Sequence, residues 1–267
     1  MNLDKTSEET FEIYLEQARN TSFSGWDFNY ITRTDRMIDT PMKWNYYNVV
    51  FPWLLKASTM LDMGTGGGEV LSRFNPLPLN TYATEQYIPN IPVARQKLEP
   101  LGVKVVPVDE KHVNNEVLPF ADDMFDLIIN RHESYHPPEL MRILKPGGLF
   151  ITQQVGQGLW NIKKALTGQE GPKTDWSLKT LVMELESAGF QILNAREDVQ
   201  YIRLFDIGAI VYWLKAVPWI IEDATGVADF TIEDYRERLW ELHLQIEKDG
   251  FYDCSHAMFI IIAKKIS

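Results

Sequence analysis

Met60-Leu61-Asp62-Met63-Gly64-Thr65-Gly66-Gly67-Gly68-Glu69 is the stretch that decides how the rest of the chain is read. A short apolar lead-in ends on an acid, and glycines follow at every second position, 64, 66 and 68. The pattern is that of a buried strand stopping at Asp62 and turning tightly into a helix. Glycine in such a turn permits positive φ and lets a ligand approach the backbone. The amides that follow can face a polar or anionic group. Two other glycine loops are excluded. A G-x-G-x-x-G fingerprint counted from Gly64 needs glycine where Glu69 stands, and counted from Gly66 it needs glycine at Leu71. The phosphate loop needs G-K-[ST], which the chain lacks. Its nearest likeness, Gly168 to Thr174, ends Pro172-Lys173-Thr174. A bare strand-to-helix turn without a ligand is the plain structural alternative.

Working outward, Thr81 to Glu85 reads as a second strand with an acidic end. Glu85 follows Asp62 by 23 positions, the spacing at which a carboxylate in a nucleotide-binding β-α-β unit reaches the ribose hydroxyls. The spacing predicts helices over 69–74 and 90–98, and a third strand over 103–108. The apolar run from Phe125 to Ile129 predicts a buried parallel strand. Asn130, Arg131, His132, Glu133, Ser134 and Tyr135 then lie at its exit, where doubly wound sheets bind ligands. Leu144-Lys145-Pro146-Gly147-Gly148 is a turn into a fifth strand over 149–155. Residues 156–175 read as irregular, 177–188 as a helix, 190–195 and 256–263 as the last two strands. Before the core, helices are expected over 7–20 and 43–56, with an aromatic-rich irregular stretch from Ser22 to Tyr30. Late in the chain, 206–216 is a very apolar helical pattern and 231–248 an amphipathic one.

Asp62-x-Gly64-x-Gly66-x-Gly68, the P-F-x-x-x-x-F-D-L-I run from Pro119 to Ile128 and the L-K-P-G-G turn together resemble the class I S-adenosylmethionine-dependent methyltransferases, in their small-molecule, methyltransferase-11-like subgroup. The resemblance covers Leu61 to Val155, and the remainder in outline. It implies an α/β fold, a Rossmann-like, doubly wound, mostly parallel seven-stranded sheet with helices on both faces, to which this chain adds a helical cover. It implies S-adenosyl-L-methionine as cofactor, held by Asp62, Gly64, Thr65, Gly66, Gly68, Glu85, Asp109, Asn130 and Arg131, with Asp109 reaching the adenine amino group. The expected organisation is an N-terminal cover over 1–56, the cofactor core over 57–199, a helical insertion over 200–250 and the final core strand over 251–267.

The chemistry implied is attack by an acceptor on a sulfonium methyl, in which the enzyme mainly aligns reactants and excludes water. A base is optional. His132 is the first candidate, since an imidazole with a pKa near 6.5 suits proton removal near neutrality. Glu133 is the second. Against both stands the simpler role of bordering the adenosyl group or packing. The expected acceptor is a small, apolar or aromatic molecule. The 267 residues carry a net charge of −11 with a pI of about 5.0, which disfavours nucleic acid as a partner. Methylation of RNA or protein, or nucleotide binding without catalysis, are the alternatives. No metal is expected, because the sequence offers no close His/Cys set and a single cysteine, Cys254, which also excludes an internal disulfide. That cysteine usage, with no secretory signal at Met1 to Lys5 and no apolar run long enough to span a membrane, leads to an expected cytoplasmic location.

Overall fold

The computed structural model describes residues 3–108, 115–170, 176–221 and 230–266. Eight strands among them form one sheet: β1 (Met37–Asp39), β2 (Thr59–Met63), β3 (Asn80–Glu85), β4 (Lys104–Pro107), β5 (Phe125–Arg131), β6 (Leu144–Gly158), β7 (Phe190–Leu204) and β8 (Tyr252–Lys265). Their spatial order is β1-β7-β8-β6-β5-β2-β3-β4. Pairs from β4 through to β6 are parallel, β8 is antiparallel to both β6 and β7, and β1 is antiparallel to β7. Seven strands match the expected sheet, and β1 adds an eighth at one edge. From β2 the chain steps outward to β3 and β4, then returns to β5 on the other side of β2. The exits of β2 and β5 are therefore a topological switch point, where such sheets open a crevice.

Side-chain alternation sends successive residues of the central strands to opposite faces. Met60, Leu127, Ile129 and Ile151 pack on one face with Val50 and Leu54 of α3 (Tyr46–Leu54) and Ala94 and Leu98 of α4 (Asn90–Leu98). Leu61, Met63, Ile128 and Phe150 pack on the other with Leu140 and Ile143 of α5 (Pro137–Ile143) and Leu181 and Leu185 of α7 (Leu178–Ser187). The Asn45 side chain caps α3 by accepting from Asn48 N at 3.1 Å.

A third apolar cluster stands apart from these two layers. It joins α1 (Leu3–Asn20), α6 (Trp160–Thr167), α8 (Ile207–Ala216) and α9 (Arg236–Asp249) with Ile202 and Leu204 at the end of β7. Nine of the ten α8 residues are buried, as a helix apolar on every side requires. Asp206 caps it, accepting from Ala209 N at 2.8 Å, and also forms a buried ion pair with Arg36 at 2.5 Å. Arg36 in turn donates to the Tyr30 hydroxyl at 2.6 Å, just after α2 (Asn29–Thr32) has opened the aromatic stretch into one short helical turn.

Several local expectations change. Of the stretch expected to be irregular over 156–175, residues 171–175 lie outside the described residues, and in the rest β6 runs on to Gly158 and α6 follows. Glycines at 158 and 168 flank this helix and hid the Ile162 and Leu166 spacing. The helix expected over 69–74 is one 3-10 turn, Leu71–Arg73, because Pro76 and Pro78 follow immediately. Over 231–248 the regular helix begins only at Arg236, while Thr231 Oγ1 accepts from Asp234 N at 3.2 Å to close a separate turn. The last two core strands are far longer than expected because they pair with each other from Phe190↔Lys265 to Leu204↔Tyr252. Residues 200–204 are thus strand.

Candidate functional site

The glycine loop crosses the switch point with Gly64, Gly66 and Gly68 at φ 65°, 61° and 81°. Thr65 N donates to Thr84 O at 2.9 Å and Gly64 N to Thr84 Oγ1 at 3.3 Å, so β3 holds the turn in place. Two causes require glycine at 64: the left-handed backbone, and the Glu133 side chain, whose Cγ and Oε2 would lie 2.5 Å from a Cβ there.

Three carboxylates converge on this loop. Asp62, at the exit of β2, is 5% exposed, and burial pushes its pKa up to about 7. The nearby Thr65 hydroxyl and Arg131 oppose that rise, and Glu85 reinforces it. Thr65 Oγ1 nevertheless falls outside hydrogen-bonding geometry and is buried without a partner. Glu85, also 5% exposed, accepts from Tyr87 N at 2.8 Å. Burial raises its pKa, the amides of Tyr87, Gly66 and Gln86 lower it, and Glu133 raises it further. Glu133 is raised by burial too, against hydrogen bonds from Asn115 Nδ2 and Ser134 Oγ, both at 3.1 Å. Buried carboxylates crowded in this way favour a cationic guest, which would return each towards its ionised form.

Asn130 is fully buried, and its side chain is engaged within the protein. It donates to Glu133 O at 3.0 Å and accepts from Thr152 Oγ1 at 2.8 Å and Gln154 Nε2 at 2.7 Å. It shapes the turn after β5, and its side chain is not free for a ligand. Arg131 is half-buried and acts electrostatically on Asp62, Tyr46 and His132, and its guanidinium has no hydrogen-bond or ion-pair partner among the described residues. Asp109 and His112 lie outside the described residues.

His132 adopts φ 63°, uncommon for a residue with a side chain, while its main-chain N donates to Gln153 O at 2.9 Å. Its Nδ1 is closed to solvent without a partner. Burial, with Arg131 and His256 nearby, holds its pKa well below the usual imidazole range. Other polar residues are engaged away from the loop. Tyr135 packs on Phe150 within the second sheet face, 4.9 Å between ring centroids. His243 sits among Phe11 and Trp240 with Nε2 3.0 Å from Ser7 O, inside the third cluster. Asp126 bonds Lys145 and the amides of Ser58 and Thr59.

Sequence reading expected the N-terminal segment only as a cover and did not foresee its particular contacts. Gly25 lies against Gly67: a Cβ on Gly25 would be 3.3 Å from Gly67 Cα and would strike Glu69. Trp26 stands beside Gly66. Trp44 donates to Gln153 Oε1 at 2.9 Å, and the buried Tyr46 hydroxyl reaches Asn130 O at 3.5 Å. The aromatic density of residues 22–47 was the available signal. Nothing in the sequence pointed to Gln153 or His256.

Comparison with known proteins agrees with this geometry. Residues 61–152 match the family model described as a methyltransferase domain. A ubiquinone biosynthesis O-methyltransferase of Ruegeria pomeroyi is 30% identical over 118 residues, 42% of this chain and 46% of that protein. The enzyme of the same description from Dinoroseobacter shibae is 28% identical over 125 residues, 43% and 48%. This chain thus spans about half the length of the curated relatives it matches. The fold is shared with a Bacillus halodurans C-125 protein described as a candidate methyltransferase, with TM-score 0.55 and 18% identity over 82% of this chain and 100% of that one. The YcgJ protein of Bacillus subtilis gives 0.50 and 16% over 83% and 100%. At those identities the likeness speaks for the fold alone. The glycine loop, the switch point and the family match all fall on one stretch, residues 61–152, which is similar to a methyltransferase domain.

Proposed function

We propose that this chain transfers a methyl group from S-adenosylmethionine to an oxygen of a small molecule. The observation that carries the reading is the convergence of Asp62, Glu85 and Glu133 on the glycine loop at the switch point. The residues fit the cofactor: buried carboxylates suit its cationic ammonium and sulfonium, and the unpartnered Thr65 hydroxyl awaits a polar group. When bound, the cofactor supplies an activated methyl group and the leaving sulfur.

Glu85 holds the ribose hydroxyls, since a carboxylate accepts from two adjacent donors. Asp62 and the loop residues Gly64, Thr65, Gly66 and Gly68 hold the amino-acid end, and Asp109 is retained for the adenine. Glu133, anchored by Asn115 and Ser134 over Gly64, serves the cofactor side rather than removing a proton from the acceptor. Asn130 supports the turn through which Arg131 and His132 meet the crevice. His132, kept neutral, orients the acceptor.

The N-terminal segment 1–56 and the helices after β7 act as the acceptor cover, with Gly25 and Trp26 lying over the loop to exclude water. The relatives named as O-methyltransferases support oxygen as the acceptor atom. Among the described residues no helix is long and apolar enough to cross a membrane, and no group of His, Cys, Asp or Glu could hold a metal. A small molecule meeting the protein from the cytoplasm is the partner proposed. Titration calorimetry with S-adenosylmethionine, followed by labelled-methyl transfer to a panel of phenols and alcohols, tests the reading. Saturable binding and transfer are expected; absence of cofactor binding overturns it.

A further inference from the structure

Gly67 stands apart from its neighbours in the glycine loop. Gly64, Gly66 and Gly68 have left-handed backbones, whereas Gly67 does not, so the turn itself would accept a side chain there. What excludes one is a contact between distant segments. A Cβ on Gly67 would lie 3.0 Å from Gly25 Cα and would strike Glu69 Oε1, and a Cβ on Gly25 would strike the same oxygen. Two glycines thus meet across one carboxylate. Trp26 continues the contact, its Cβ 3.4 Å from where a Gly66 Cβ would stand.

The segment that brings Gly25 to the loop is anchored on both sides to α8. Lys215 Nζ donates to Ala18 O, Arg19 O and Thr21 O at 2.7, 3.2 and 3.1 Å, which fixes the end of α1. The Tyr212 hydroxyl donates to Asp27 O at 3.2 Å. Between these anchors Phe23 lies edge-on to Trp26 and to Tyr212, with ring centroids 5.9 and 6.0 Å apart. Beneath the segment, Glu69 is held from the far side by Lys97 of α4 at 3.0 Å, while its Oε2 is closed to solvent without a partner. That orphaned oxygen opposes docking, since lifting Trp26 returns it to water. The aromatic contacts favour docking. A segment balanced in this way responds to whatever fills the loop.

We infer that residues 22–28 are a strap that docks on the glycine loop through Gly25 and Trp26 and holds S-adenosylmethionine there, so that the cofactor leaves only when the strap lifts. The inference rests on the methyl-transfer reading, which puts the amino-acid end of the cofactor in the loop. It adds retention of the cofactor to the covering role of the N-terminal segment. Linkage makes the effect reciprocal: a ligand that favours the docked loop tightens the strap, and a loosened strap weakens the ligand by the same factor. Gly67 and Trp26 are positioning residues, acting through the seam between strap and loop.

Hydrogen exchange read by mass spectrometry on the full chain, with S-adenosylmethionine as probe, follows the docking, and displacement of labelled cofactor follows its release. In the unaltered chain the cofactor should slow exchange over residues 22–28. Gly67→Ala suits the backbone but not the seam, and it should free the strap. Cofactor release should then become about tenfold faster, the usual route by which affinity changes, while exchange in β2, β3 and β5 of the ligand-free protein stays as in the unaltered chain. Trp26→Ala should act in the same way from the strap side, leaving the loop sequence intact. Exchange over 22–28 that ignores the cofactor overturns the strap. So does faster release in Gly67→Ala alone, which local damage to the loop would give. Cofactor binding with release unchanged in both variants removes the strap and leaves the methyl-transfer reading standing. Absence of cofactor binding by the unaltered chain removes both.

Discussion

Glu85 and His256 are about equally buried, 5% and 8% exposed, yet different kinds of strand pairing place them. Glu85 arrives at the end of a strand paired directly with β2, and its neighbours Asp62, Gly66 and Glu133 are set by the same parallel register. His256 depends on the antiparallel pairing of β7 with β8, where it lies opposite Gln200, and on Asp39 in the edge strand β1. The proposed cofactor side is made at the ends of the neighbouring parallel strands β5, β2 and β3. The proposed acceptor side is assembled from β1, β7 and β8, with Gln200 lying 161 residues from Asp39 and 56 from His256, beside the third apolar cluster and the Arg36–Asp206 pair. A substitution should therefore damage binding on one side and stability on the other.

The largest expected effect lies on the cofactor side. Gly64→Val places a side chain at φ 65° and against Glu133, so calorimetry should find no S-adenosylmethionine binding while circular dichroism still reports the sheet. Retained affinity would break the contrast. On the other side, Arg36→Ala leaves the Asp206 carboxylate buried without its partner. It should cost about 3–5 kcal/mol in denaturant unfolding, with cofactor affinity measured at low denaturant little changed. Equal loss of both would mean that the two sides are one unit.

Glu85→Ala should weaken the cofactor by about 1–3 kcal/mol, the range for orphaning hydrogen bonds to a charged group. Unaltered affinity would remove its ribose role. The smallest effect is in pH. Asp62 titrates near pH 7 in the ligand-free chain, and Glu85 and Glu133 lie above their usual range. A carboxylate raised on folding contributes stability that is complete below its unfolded value, about 4, and is lost as pH rises through its folded value. A cationic ligand needs the ionised form, so binding releases the proton. Affinity should therefore rise about tenfold from pH 6 to pH 8 for Asp62 alone, and the thermal shift given by S-adenosylmethionine should grow over the same interval. A flat profile would take Asp62 out of the ligand's reach.

Much of the cofactor side was legible because its signals are local. Asp62, the glycines and Glu85 lie within one β-turn-β unit, and the apolar strand at Phe125 fixes where Asn130 to Glu133 emerge. Role assignments within that set were less legible. Asn130 and Glu133 looked alike as exit residues, but side-chain bonding to Thr152 and Gln154 engages the first, and closeness to Gly64 sets the second over the loop. The helix at 160–167 was hidden by the glycines that flank it.

By itself, the sequence determined the parallel core, its switch point and the placing of Asp62 and Glu85 at the glycine loop, because strand periodicity and turn chemistry act over a few residues. Only the tertiary structure decided which partners meet His132 and His256. A histidine's tautomer is set by the group opposite its ring nitrogen, and here those groups, Gln153 and Gln200, are brought there by sheet pairing across distant segments.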